Sequence, residues 1–119
     1  MASEFNLTPQ PVRTTVVTKQ PIQQSLDVSE FDIADLLLYV PALEGTSSPT
    51  ATVRVITGMH LDTEDGWVVA GTFAVVNTTI TAQKLRVTEL LKYIRWEVPG
   101  LTGTTPAVTF LITGMPRKS

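Results

Sequence analysis

Val40-Pro41-Ala42-Leu43-Glu44-Gly45-Thr46-Ser47-Ser48-Pro49 and Val98-Pro99-Gly100-Leu101-Thr102-Gly103-Thr104-Thr105-Pro106 are two copies of one pattern. Each copy runs on to Ile-Thr-Gly-Met, at Ile56 to Met59 in the first and Ile112 to Met115 in the second. The offset between copies is 58 at the start and 56 at the end, so two single-residue gaps separate them. One gap falls at Ser47 or Ser48. The other falls just before Ile-Thr-Gly-Met, because an offset of 57 keeps Val53 and Val55 in register with Phe110 and Ile112. A β-bulge is expected there, since one extra residue otherwise flips every later side chain to the opposite face. Each copy reads as a strand, a turn rich in Gly, Thr and Pro, and a second strand. Two such hairpins predict pseudo-symmetric halves of an all-β, two-sheet β-sandwich of jelly-roll or Greek-key type.

The segments around the repeat agree. Ile94, Trp96 and Val98 alternate with Arg95 and Glu97, and Val108, Phe110 and Ile112 form a second inward set. Asp35 to Val40 is a largely apolar run ending at Pro41, as a buried strand would be. Asp65-Gly66 signals a tight turn before Trp67 to Phe73. Thr occurs 19 times and Val 14 times, both β-branched and suited to a pleated surface. Two places point instead to a helical turn. Ser29 resembles a cap with an acid three residues on, and Val87, Leu90, Leu91 and Ile94 sit at helical spacing.

The first 27 residues differ from the rest. Pro9, Pro11 and Pro21 interrupt them, and large apolar side chains are few. The segment 1–27 is read as an extended N-terminal arm leading into a sandwich domain at 28–119, and as an arm that lies on a neighbouring subunit. Its candidate contact residues are Phe5, Leu7, Val12, Arg13, Val16 and Ile22.

Composition narrows function by exclusion. The chain of 119 residues is one domain's worth, with 9 basic and 11 acidic residues and a net charge of -2, unlike a nucleic-acid binder with its basic stripe. No run is long and apolar enough for a membrane helix, and the first residues lack a secretory signal pattern. Without cysteine there is no disulfide, thiol nucleophile or zinc–thiolate site.

Candidate chemistry is sparse. Asp62, Glu64 and Asp65 cluster beside Gly66, but they lack the spacing of a calcium loop and read first as a solvated turn. His60, the single histidine, has no hydroxyl marked for activation. Of the aromatics that a sugar platform would use, Trp96 alternates into the core and Tyr93 shares the parity of Arg95 and Glu97. The face of Tyr39 is undecided, and Trp67 would cap an end of the sandwich. Arg54, Arg86 and Arg95 are each embedded in strands, as solvent-facing residues or as interface anchors. No catalytic residue, metal site or cofactor is assigned.

The series Leu43 to Pro49, Asp65-Gly66-Trp67 leading to Gly71-Thr72-Phe73, Tyr93 to Val98, and Gly103 to Pro106 resembles small virion proteins of tailed bacteriophages, of the head decoration or cement type. In those proteins an "SGTSP"-like turn precedes a strand, a "DGW" turn sits mid-chain, and a "YIRW"-like strand precedes a second "GT-x-P" turn. The similarity spans about residues 34–115, and its motifs are turns and core positions. It implies a non-enzymatic β-sandwich subunit on the capsid surface of a virion assembled in the host cytoplasm. Its partners would be the major capsid protein or other virion proteins and further copies of itself, with neither nucleic acid nor membrane. A tail- or neck-associated virion protein and a carbohydrate-binding sandwich are the alternative expectations.

Overall fold

The computed structural model of the chain describes residues 4–118. The elements are β1 (Phe5–Asn6), β2 (Val12–Thr14), β3 (Thr18–Lys19), a 3-10 turn (Ile22–Gln24), β4 (Leu26–Asp27), β5 (Ile33–Gly58), β6 (Val68–Thr72), β7 (Ala82–Val87) and β8 (Tyr93–Arg117). No α-helix occurs among the described residues. Ser29 lies in a turn closed by Phe31 N–H donating to Val28 O, and Val87 to Ile94 links two strands. The fold is all-β, a single curled antiparallel sheet.

Its frame is the pair β5–β8, antiparallel from Ile33↔Arg117 to Gly58↔Tyr93. The expected hairpins are absent, because each copy of the repeat lies within one continuous strand. The two copies pair with each other. Thr46 sits opposite Thr104, its own counterpart in the repeat, so a pseudo-two-fold passes between them.

The Gly-Thr-rich stretches that read as turns are kinks on either side of that axis. Gly45 and Gly103 have φ of 124° and 113°, and Ser47, Ser48 and Thr105 are also left-handed. A side chain at Gly103 would press within 3.0 Å of the Thr46 carbonyl oxygen and Pro49 Cα, so both glycines serve φ and close approach. Gly103 alone opposes Ser47-Ser48-Pro49, while Gly45 alone opposes Thr105-Pro106. The extra residue of the first copy is therefore at Ser47 or Ser48, as the alignment predicts. Val40-Pro41 bulges against Phe110 and Val98-Pro99 bulges against Val53, at matching places where proline has no N–H for the ladder.

These kinks fold the sheet onto itself. A straight strand of 26 residues would be about 85 Å long, yet the longest dimension of the molecule is 43 Å. Trp96 and Phe110, fourteen residues apart on β8, meet edge to face with centroids 5.2 Å apart. One half of the sheet holds β7, the start of β5, the end of β8, and β1 and β2. The other half holds β6, the end of β5, the start of β8, and β3 and β4. They are named below the Leu37 half and the Arg95 half. Leu36, Leu38, Val108, Phe110 and Ile112 of the first meet Val53, Val55, Ile94, Trp96 and Val98 of the second in one core.

The predicted irregularity before Ile-Thr-Gly-Met is present between Val55 and Ile56, but the extra residue is Ala70 on β6. Against β8, β5 continues without a break. The side chains of the first Ile-Thr-Gly-Met are therefore flipped relative to the second. Ile112 is in the core, whereas Ile56 is buried outside the core cluster, on the outer face. Thr57 takes the inward position, its hydroxyl donating to Tyr93 O at 2.8 Å and accepting from Leu91 N–H at 2.9 Å.

The segment expected to be an outward arm lies along β8 of its own chain. β1 to β4 pair in turn with residues 93–114 of β8. They are short because each proline removes a donor and breaks the run. Leu7 is 1% exposed in the core, with Phe5, Val12 and Leu26 packed against it.

Candidate functional surface

The two halves present their outer faces differently. On the Arg95 half, Arg95 sits on the outer face yet is 1% exposed. Its Nε and Nη2 donate to Gln20 O at 2.9 and 2.6 Å, and its Nη1 donates to Glu64 Oε1 at 2.9 Å. Trp67 lies against the guanidinium, 4.8 Å from ring to Cζ. The same ring rests on Gly58, where a Cβ would come within 2.6 Å of it. The loop 59–67 and the segment around Gln20 thus cover this face. Lys19 Nζ adds an ion pair to Glu64 at 3.2 Å. Arg95 and then Lys19 hold the Glu64 carboxyl below the usual glutamate range. The Gln20 side chain completes the latch, donating to Leu7 O and Gln24 O and accepting from Trp96 N–H.

On the Leu37 half, the same repeat positions carry different side chains. Leu37 and Tyr39 are the counterparts of Arg95 and Glu97. Both point outward and are 48% exposed, beside Met115 at 41% and the half-buried Leu111. The register joins them into one surface, with Leu37 between Lys84 and Thr113 and Tyr39 between Ala82 and Leu111. Charges rim one end. Asp35 Oδ1 accepts from Arg86 Nε at 2.6 Å, and Asp35 Oδ2 lies 2.6 Å from Arg117 Nη2. The Arg86 hydrogen bond holds the Asp35 carboxyl below its ordinary range. With the exposed Lys84 and Glu4, the rim has three cations and two carboxylates. A shallow depression lined by Asp35, Leu36, Lys84, Leu85 and Arg86 runs along it. Among the described residues, no loop crosses this face as 59–67 crosses the other.

The residues singled out from sequence are dispersed. Of the six arm candidates, Leu7 is in the core, and Phe5 and Val12 pack against it. Arg13 is exposed in an ion pair with Glu44 at 3.4 Å, Ile22 is half-buried, and Val16 is 62% exposed. His60, Asp62 and Asp65 are exposed on the loop, while Glu64 turns to Arg95 and Lys19. Among the described residues no three His, Asp or Glu side chains converge as metal ligands. The rings share no platform, since Trp96 is in the core, Trp67 covers Arg95, and Lys92 lies over Tyr93. Arg54 and Arg86 are paired within the sheet, with Glu97 and Asp35.

Sequence reasoning missed the Leu37 face. The run Asp35 to Val40 reads as a strand buried on both sides, but only Leu36, Leu38 and Val40 are buried. The signal was the repeat itself, which aligns Leu37 and Tyr39 with the outward Arg95 and Glu97. Among the described residues no helix is long and apolar enough to cross a membrane. No known protein family and no curated protein matches the chain.

Proposed function

We propose that this protein is a non-enzymatic virion structural subunit, of the head decoration or cement type that its sequence resembles, and that it seats the Leu37 face on the shell. In this reading the two halves are the sheets of a jelly-roll-like sandwich. The observation that carries it is the unequal treatment of equivalent faces. Leu37, Tyr39, Leu111 and Met115 leave an apolar patch bare, where the chain covers the counterpart with its own loop. A contiguous exposed apolar patch with a polar rim is the usual anatomy of a protein contact. Many identical weak contacts on a symmetric shell would then add by multivalency.

The test is co-sedimentation of purified protein with phage shells that lack it. The parent chain is expected to sediment with the shells, and a Leu37→Ser, Tyr39→Ser double variant to stay in solution while melting near the parent. Equal binding by both would remove the Leu37 face from the contact. Localisation of the protein to tail or neck in a virion map would replace the head assignment.

A further inference from the structure

We propose that Asp65-Gly66 is a site of spontaneous backbone modification, where Asp65 converts to isoaspartate and releases the loop 59–67 from Arg95. In this step the Gly66 backbone nitrogen attacks the carboxyl carbon of protonated Asp65 and closes a cyclic imide. The amide proton and the carboxyl hydroxyl leave together as water. One water then adds back at either imide carbonyl. Opening at the side-chain carbonyl restores aspartate. Opening at the main-chain carbonyl leaves the chain running through the side chain, with one methylene added to the backbone and the former main-chain carbonyl freed as a carboxylate. The water released is the water taken up, so no oxidant, cofactor or enzyme takes part.

The step depends on access to the amide nitrogen, which a bulky following residue or a hydrogen bond blocks. Asp65 alone among the Asp and Asn residues is followed by Gly; the others precede Leu7, Val28, Ile33, Leu36, Thr63 and Thr78. A Cβ built on Gly66 would meet nothing within 4 Å, so the ring has room to form. Among the described residues, no acceptor takes the Gly66 N–H. The Asp65 side chain is exposed, and only its own backbone N–H is engaged, donating to Thr63 Oγ1 at 3.1 Å.

The consequence follows from what flanks the pair. Glu64 accepts from Arg95 Nη1 at 2.9 Å, and the Trp67 ring lies 4.8 Å from the same guanidinium while its Nε1 donates to Thr63 O at 3.1 Å. Both anchors seat on one side chain, so the span between them is fixed. A methylene inserted between Asp65 and Gly66 lengthens that span, and the two anchors no longer fit Arg95 together. The site lies on the loop over the Arg95 half, and it stands or falls separately from docking of the Leu37 face.

Incubation of the full chain in heavy-oxygen water at mildly acid pH, with tryptic digestion and fragment mass spectrometry, tests the chemistry. Isoaspartate carrying heavy oxygen is expected at Asp65, accumulating several-fold faster than at Asp62, which precedes the β-branched Thr63 in the same peptide. The aged parent is expected to be cut faster by chymotrypsin within 59–67 than fresh protein. Asp65→Glu, whose longer side chain closes a larger and slower ring, is expected to keep its resistance through the same incubation. Absence of isoaspartate at Asp65, or equal rates at Asp65 and Asp62, would overturn the modification. Unchanged cleavage of the aged parent, or equal sensitisation of Asp65→Glu, would overturn the release of the loop.

Discussion

The Arg95 half and the Leu37 half are built from the same two strands and the same repeat, yet one is sealed and the other is open. The difference begins at one repeat position, arginine in one copy and leucine in the other. A buried guanidinium has to be matched by acceptors, and Gln20 O and Glu64 supply them from two separate segments. Leucine makes no such demand, so nothing is drawn across it. The aromatic rings follow the same asymmetry. Gly58 accepts Trp67 on the outer face, whereas its sequence counterpart Gly114 accepts Phe5 beside the inward-facing Leu36. The one-residue slip between copies decides which side of the sheet each glycine opens. The comparison teaches that a duplicated strand pair becomes two different surfaces through one side chain and one register step.

The largest expected effect comes from removing what seals both halves at once. Deletion of residues 1–24 takes away β1 to β3, Leu7 and Gln20, and Leu7→Ala alone is expected to cost about 2–5 kcal/mol. The truncated chain is expected to lose its cooperative thermal transition in circular dichroism. A melt like that of the parent would show the segment to be an accessory after all.

Next come the two counterpart positions. Arg95→Ala leaves the buried Gln20 O unmatched and removes the cation that Trp67 packs against, while Lys19 still pairs with the half-exposed Glu64, and is expected to destabilise by about 1–3 kcal/mol. Leu37→Ala removes a half-exposed side chain and is expected to shift stability by about 1 kcal/mol or less. Urea unfolding of both variants measures the contrast directly, and equal losses would break it.

The smallest effect is electrostatic. Glu64 has a carboxyl pKa below its ordinary 4.5 in the folded chain, because Arg95 and Lys19 favour the charged form. Such a group binds protons more readily when unfolded. Its contribution is therefore present above pH 4.5 and lost as pH falls through the depressed folded value. Melting temperature should decline in that acid window, and Glu64→Gln should flatten the decline while lowering stability modestly at neutral pH.

Much of this architecture was legible in the residues. The period of two in Ile94 to Val98 and Val108 to Ile112 and the gap at Ser47 or Ser48 have direct structural counterparts, whereas the two copies pair with each other in place of forming two hairpins, and the bulge expected beside Val55 lies across the ladder on β6. What misled was chemistry shared by different structures. Gly-Thr-Ser-Ser-Pro has the left-handed residues of a turn, and a sheet kink needs the same ones. The prolines of the first 27 residues imply a broken strand without saying on which chain it lies. The Leu37 face was hidden because an apolar run reads alike whether one side or both are buried. Arg95 was visible as an unusual residue, but its partners at Gln20 and Glu64 are brought to it only by tertiary folding.

The crossing at Thr46 and Thr104 has a mechanical consequence. Because β5 and β8 each thread through both halves, neither half is a unit that can come undone while the other persists. Assembly must wait for partners far apart along the chain, which makes folding slow. Once formed, the paired β5 and β8 open together, so the frame of the molecule comes apart by global rather than partial melting.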